Sequence, residues 1–174
     1  GQLHLADEVV FPLVSLVEAA EDTLPVHRSI LYATLASFLS GQLPPLRSVP
    51  EERMVAVVVP KGSQGMLGAI ASMSHVVASG WYPVLLGEGL WASDIIRALT
   101  DSGASMLLLS IVTDELNQEL REELLIVSEA SRGSIPLLFG GRMPESVIRE
   151  IESWGFRYVH SMSSLRNTLL TTVV

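Results

Sequence analysis

Residues Val55 to Gly68 read VAVVVPKGSQGMLG, and this stretch decides the fold. Val55 to Val59 is a run of β-branched and small apolar residues, too short for a typical helix and rich in strand formers. Pro60 cannot continue a central ladder, so the strand ends there. Lys61 to Gly65 is rich in Gly and Ser and breaks regular structure. From Met66 onward, Leu67, Ile70, Met73, Val76 and Val77 recur on one face of a helix. A buried strand, a glycine loop and an amphipathic helix open a doubly wound α/β domain. Ligands of such domains sit outside the carboxyl ends of the strands, where this loop lies.

Downstream the alternation is regular. Gly80 closes the first helix, Pro83–Leu86 is a second strand, and Gly87-Glu88-Gly89 its loop. Ala92–Thr100 is a helix capped by Gly103, and Ser105–Ser110 a third strand. Asn117–Ser131 is a helix, Ile135–Phe139 a fourth strand, and Gly140-Gly141 the loop after it. Pro144–Trp154 is a helix followed by Gly155, Phe156–Val159 a short fifth strand, and Ser163–Leu170 the closing helix. Five strands alternating with helices imply a parallel sheet, for which a flavodoxin-like order 2-1-3-4-5 is expected. Upstream, Val9, Val10, Leu13, Leu16 and Val17 mark one helix, and Ile30, Leu31, Thr34, Leu35 and Phe38 a second that begins at Pro25. The expected organisation is a helical cap over residues 1–41, a proline-rich linker over 42–53 and the α/β domain over 54–174.

The composition narrows the function. The chain has 174 residues, 48% hydrophobic, enough for one full domain with its own core. No apolar run approaches the roughly eighteen residues of a membrane span. A net charge of −8 argues against this segment gripping nucleic acid or an anionic membrane. The absence of cysteine excludes disulfides and thiolate sites and fits a reducing compartment, so a cytoplasmic location is expected. The chain begins at Gly1 and shows no signal-peptide pattern, which fits a piece excised from a longer protein.

Three loop signals fall at the ends of strands one, three and four: Ser63-x-Gly65-x-x-Gly68, Ser110-x-Val112 and Gly140-Gly141. In kind and order they resemble the cobalamin-binding domain family, whose pattern is Asp/Glu-x-His-x-x-Gly, Ser-x-Leu and Gly-Gly. The cap and linker look most like those of light-sensing cobalamin-dependent transcription regulators and of haem-binding sensors of photosynthetic bacteria. The resemblance covers roughly residues 25 to 165. It implies that Ser63, Gly65, Gly68, Ser110, Val112, Gly140 and Gly141 border a tetrapyrrole site. It also implies that His27, where the regulators carry a Glu-His pair, ligates the metal from above. The departure is chemical: the family's cobalt-binding histidine is Gly65 here, and its acidic neighbour is Ser63. On that reading Gly65→His restores a lower ligand. The alternative is that the glycines only serve tight strand-to-helix turns.

Other chemistry finds less support. Lys61-Gly62-Ser63-Gln64-Gly65 offers donors at a helix N-terminus, yet matches neither a Walker A loop nor Gly-x-Gly-x-x-Gly. No Gly-x-Ser-x-Gly nucleophile elbow is present. Glu88 between two glycines lacks a second carboxylate or histidine beside it in sequence. His75 reads as a helix residue and His160 as a loop residue near the ligand side.

The expected function is therefore a non-enzymatic sensory domain that binds cobalamin or haem and signals to a regulatory partner protein or fused domain. A corrinoid carrier subunit of a methyltransferase or mutase is the alternative. A module without ligand, whose cap forms a homodimer surface, is a third reading.

Overall fold

The computed structural model describes residues 8, 9, 12, 16, 25–41 and 53–172. The sheet consists of β1 (Met54–Pro60), β2 (Tyr82–Leu90), β3 (Met106–Val112), β4 (Leu137–Arg142) and β5 (Arg157–Val159). The helices are α1 (Pro25–Ser40), α2 (Met66–Ala78), α3 (Ala92–Ser102), α4 (Gln118–Ser131), α5 (Glu145–Ser153) and α6 (Met162–Thr171). All strand pairs are parallel and the order is β2-β1-β3-β4-β5, the flavodoxin-like arrangement expected from the sequence.

β1 lies between β2 and β3, with Val55 aligned to Pro83 on one side and Met106 on the other. Successive side chains of a strand point to opposite faces, and a parallel sheet is covered on both. Ala56 and Val58 accordingly join Leu107, Leu109 and Phe139 beneath α3, α4 and α5, through Ile95, Leu124 and Ile151. Val55, Val57 and Val59 join Leu108 and Leu138 beneath α2 and α6, through Val76, Leu165 and Leu169. Trp81 is buried on that second face, and its Nε1–H donates to the Leu169 carbonyl at 3.0 Å.

Outside α2 lies α1, whose Leu31, Tyr32, Leu35 and Ala36 pack against Leu67, Ile70, Ala71 and Met73. The expected apolar stripe is therefore displaced. Leu31 and Leu35 face the domain, whereas Ile30, Thr34 and Phe38 are exposed. Of the expected cap and linker, the first helix (apart from residues 8, 9, 12 and 16) and most of the linker lie outside the described residues.

Two expected loops are corrected. Gly87-Glu88-Gly89 belongs to β2, where Gly87 and Glu88 pair with Val58 and Val59. The pairing slips on either side, and Gly87 (φ 117°) and Gly89 (φ 73°) take the backbone angles that an irregular edge strand demands. Gly140-Gly141 likewise continues β4, aligned with Ser110 and Ile111. Helix ends follow local chemistry. Asn117 caps α4 by accepting from the Leu120 N–H at 2.8 Å, Ser161 caps α6 by accepting from the Ser164 N–H at 3.1 Å, and Gly103 ends α3 in the left-handed region. Among the described residues no helix is long and apolar enough to cross a membrane.

Candidate functional site

The glycine loop after β1 is stitched to the end of β3. The Gln64 N–H donates to the Val112 carbonyl at 3.3 Å, and the Val112 N–H returns a bond to the Gln64 carbonyl at 2.6 Å. The Ser110 hydroxyl donates to the Gly65 carbonyl at 2.8 Å. From the other side, the Asn117 side chain donates to the Gly62 carbonyl at 3.0 Å. Ser63 turns inward, its hydroxyl donating to the Pro60 carbonyl at 3.0 Å.

These contacts fix the role of the glycines. Gly65 has φ 146°, and a Cβ there would stand 2.7 Å from the Ser110 carbonyl oxygen and 2.9 Å from its hydroxyl. A Cβ on Gly68 would stand 2.8 Å from the same hydroxyl. The room these two glycines leave is filled by Ser110, so they first serve close helix-to-strand packing. Gly141 has φ 129°, and a Cβ there would collide with the Ile111 carbonyl.

Beside this stitched loop a cavity of about 710 Å³ opens along the carboxyl edge of the sheet. Its walls are Gly65, Gly68 and Ser72 from the loop and α2, and Leu108, Ser110 and Val112 from β3. Gly140 and Gly141 of β4, Val159 of β5 and Leu165 of α6 continue them. The volume falls in the roughly 300–1,000 Å³ range of small-molecule sites. Ser29 and Tyr32 of α1 reach it from above. The bare edges of Gly140 and Gly141 keep its wall free of side chains.

Of the residues expected from sequence, Gly65, Gly68, Ser110, Val112, Gly140 and Gly141 come together on this one cavity. Ser63 and His27 do not line it; His27 is exposed on the first turn of α1. His75 is buried within α2, away from the lining. The sequence analysis set Glu88 and His160 aside and missed Arg142 and Ser161, each placed near a strand end or just beyond it. Their signal in the sequence is position alone, at or next to the carboxyl ends of β2, β4 and β5. Glu88 is held above its ordinary carboxylate range by partial burial at the cavity edge. His160 packs edge-on against Tyr158 at 4.6 Å, and the Tyr158 hydroxyl donates to the Gly141 carbonyl at 3.1 Å. Burial, then the nearby Glu145 carboxylate, raises the Tyr158 phenol above its usual value. Among the described residues no group of three or more His, Cys, Asp or Glu is placed to hold a metal.

The fold is shared with solved corrinoid proteins. A cobalamin-binding protein from Desulfitobacterium hafniense DCB-2 aligns with a TM-score of 0.54 at 12% identity, over 96% of this chain and 81% of that one. The monomethylamine corrinoid protein of Methanosarcina barkeri gives 0.55 at 17% identity, over 98% and 83%. The methanol:cobalamin methyltransferase complex of the same organism gives 0.55 at 16% identity, over 98% and 69%. At such identities the likeness shows the fold. No protein-family model matches the chain, and no curated protein does.

Proposed function

We propose that the chain is a corrinoid-binding module of the carrier type, which holds a cobalamin-like cofactor and presents it to a partner protein. The observation that carries this reading is the cavity itself. Six residues at or just after three strand ends converge on one cavity, in a fold shared with proteins named for the cobalamin or corrinoid they bind. The slot suits the nucleotide tail of such a cofactor. Ser161 lies exposed at its edge, and Ser72 and Ser110 present hydroxyl oxygens whose protons go to the Ala69 and Gly65 carbonyls. Leu108, Val159 and Leu165 give an apolar bed, and Tyr32 and His160 flat rings for a base. A bound corrinoid supplies the cobalt chemistry. The chain supplies the slot, the rigid floor of the stitched loop, and the α1 wall that limits water. The domain is itself non-catalytic on this reading, with α1 acting as its cap.

Carrier is preferred to sensor for two reasons. The neighbours include the monomethylamine corrinoid protein and a methyltransferase complex, and His27, on which upper-face ligation depends, is exposed and outside the lining. Reconstitution tests the reading. The protein is mixed with hydroxocobalamin or haemin, desalted, and its absorbance recorded. Corrinoid bands at near-equimolar amount, with haemin lost, are expected; loss of both rejects the proposal, and retention of haemin alone returns the sensor reading.

A further inference from the structure

The side chains that line the cavity bear on how a corrinoid's metal is held, and this inference rests on the corrinoid reading above. We propose that cobalt bound here receives no nitrogen ligand on its lower side, neither from the glycine loop nor from the cofactor's own base.

The loop cannot reach it with an imidazole. Position 65 admits no side chain, because its φ of 146° and the Ser110 carbonyl at 2.7 Å from a built Cβ both forbid one. The backbone around it is not free to relax, being tied to Val112 in both directions and to Ser110 through its hydroxyl. Ser63 is occupied by the Pro60 carbonyl. Gln64 does reach the cavity, but it presents an amide, whose nitrogen has no lone pair to give and whose oxygen is the kind of ligand that suits magnesium, calcium or manganese. The imidazole that lines the cavity, His160, stands at the end of β5, three strands from β1 and so roughly 14 Å across the sheet from the loop. It also packs on Tyr158. On the proposed function the slot takes the nucleotide, which draws its base in among the cavity walls and away from the cobalt.

A nitrogen donor beneath the metal stabilises its higher oxidation states, so its removal makes one-electron reduction easier. The site would thus favour cobalt of low coordination number, and the change follows from the backbone rather than from a single missing side chain.

Electron paramagnetic resonance of the protein loaded with cob(II)alamin tests this at neutral pH. Each cobalt line is expected to lack the triplet splitting that an axial ¹⁴N imposes, and the cob(II)/cob(I) couple is expected to lie at a more positive potential than in free cobalamin. Gly65→His is expected to lower thermal stability and leave the spectrum unsplit. Triplets in the unaltered protein overturn the proposal. Their loss in His160→Ala would assign the ligand to that residue, and their persistence to the cofactor's base. A triplet gained only in Gly65→His overturns the claim that the backbone at position 65 shuts out a ligand. Failure to retain any corrinoid is a different result, which rejects the carrier reading itself and this inference with it.

Discussion

The two faces of the sheet are built from the same strands and filled differently. Under α3, α4 and α5 the space is closed by large side chains, among them Phe139, Leu109, Ile95 and Ile151, each almost wholly buried. Under α2 and α6 the strands contribute the alternate residues, but near the carboxyl edge small residues replace large ones. Ala71 and Ser72 on α2, Ser110 on β3, and Gly140 and Gly141 on β4 leave the slot open. Both faces are packed beneath their helices, and the second opens only toward its carboxyl edge. The cleft that results is open to solvent along Gly141, His160 and Ser161, and its volume falls in the range of small-molecule sites.

Substitutions can break or sharpen that contrast. The largest effect is expected for Phe139→Ala, which removes a ring lying 6.3 Å from Phe156 and 5.1 Å from Tyr158. Chemical denaturation should show a loss of about 3–5 kcal/mol. Gly141→Ala forces a Cβ into the Ile111 carbonyl at a left-handed φ, and a loss of about 1–3 kcal/mol is expected by the same measurement. A matched pair tests the faces directly. Ala56→Leu overpacks the closed face and should cost about 1–3 kcal/mol. Ser72→Leu also adds bulk at a buried position and gives up a hydroxyl bond to the Ala69 carbonyl, but it has the cavity beside it to expand into, so it should cost less than Ala56→Leu. If Ser72→Leu destabilises as much as Ala56→Leu, the two faces do not differ as described.

The smallest effect concerns pH. Burial raises the Glu88 carboxyl, so the folded state binds its proton more tightly than the unfolded state does. Its contribution is most favourable below the ordinary carboxylate range and is lost as pH rises through the raised value. Glu88→Gln should therefore be slightly more stable than the parent at neutral pH, the difference vanishing in acid. Because Glu88 is largely exposed and solvent screens it, thermal unfolding at several pH values should show a few tenths of a kcal/mol at most.

The fold was legible because its signals are periodic. The β-branched run at Val55–Val59 and the helical recurrence from Leu67 to Val77 state a strand and a helix without outside help. Gly87 and Gly89 misled because glycine marks both a loop and a bulged edge strand, and only the pairing with β1 tells them apart. The buried side of α1 was equally hidden. Ile30 and Phe38 recur with Leu31 and Leu35 in helical spacing, and which of them faces inward depends on the surface of α2. Within the site, glycine pairs and serines at strand ends pointed to the slot. That Gly65 is crowded rather than roomy could not be read, since the Ser110 backbone that crowds it lies 45 positions away in the chain.

The account stands on the slot receiving a nucleotide, and affinities for cobalamin and for cobinamide, which lacks the nucleotide, test this most directly. Isothermal titration should give cobalamin at least about tenfold tighter binding, roughly 1.4 kcal/mol or more, and Ser72→Leu should erase that advantage. Equal affinities for the two corrinoids, with Ser72→Leu binding both like the parent, would contradict it.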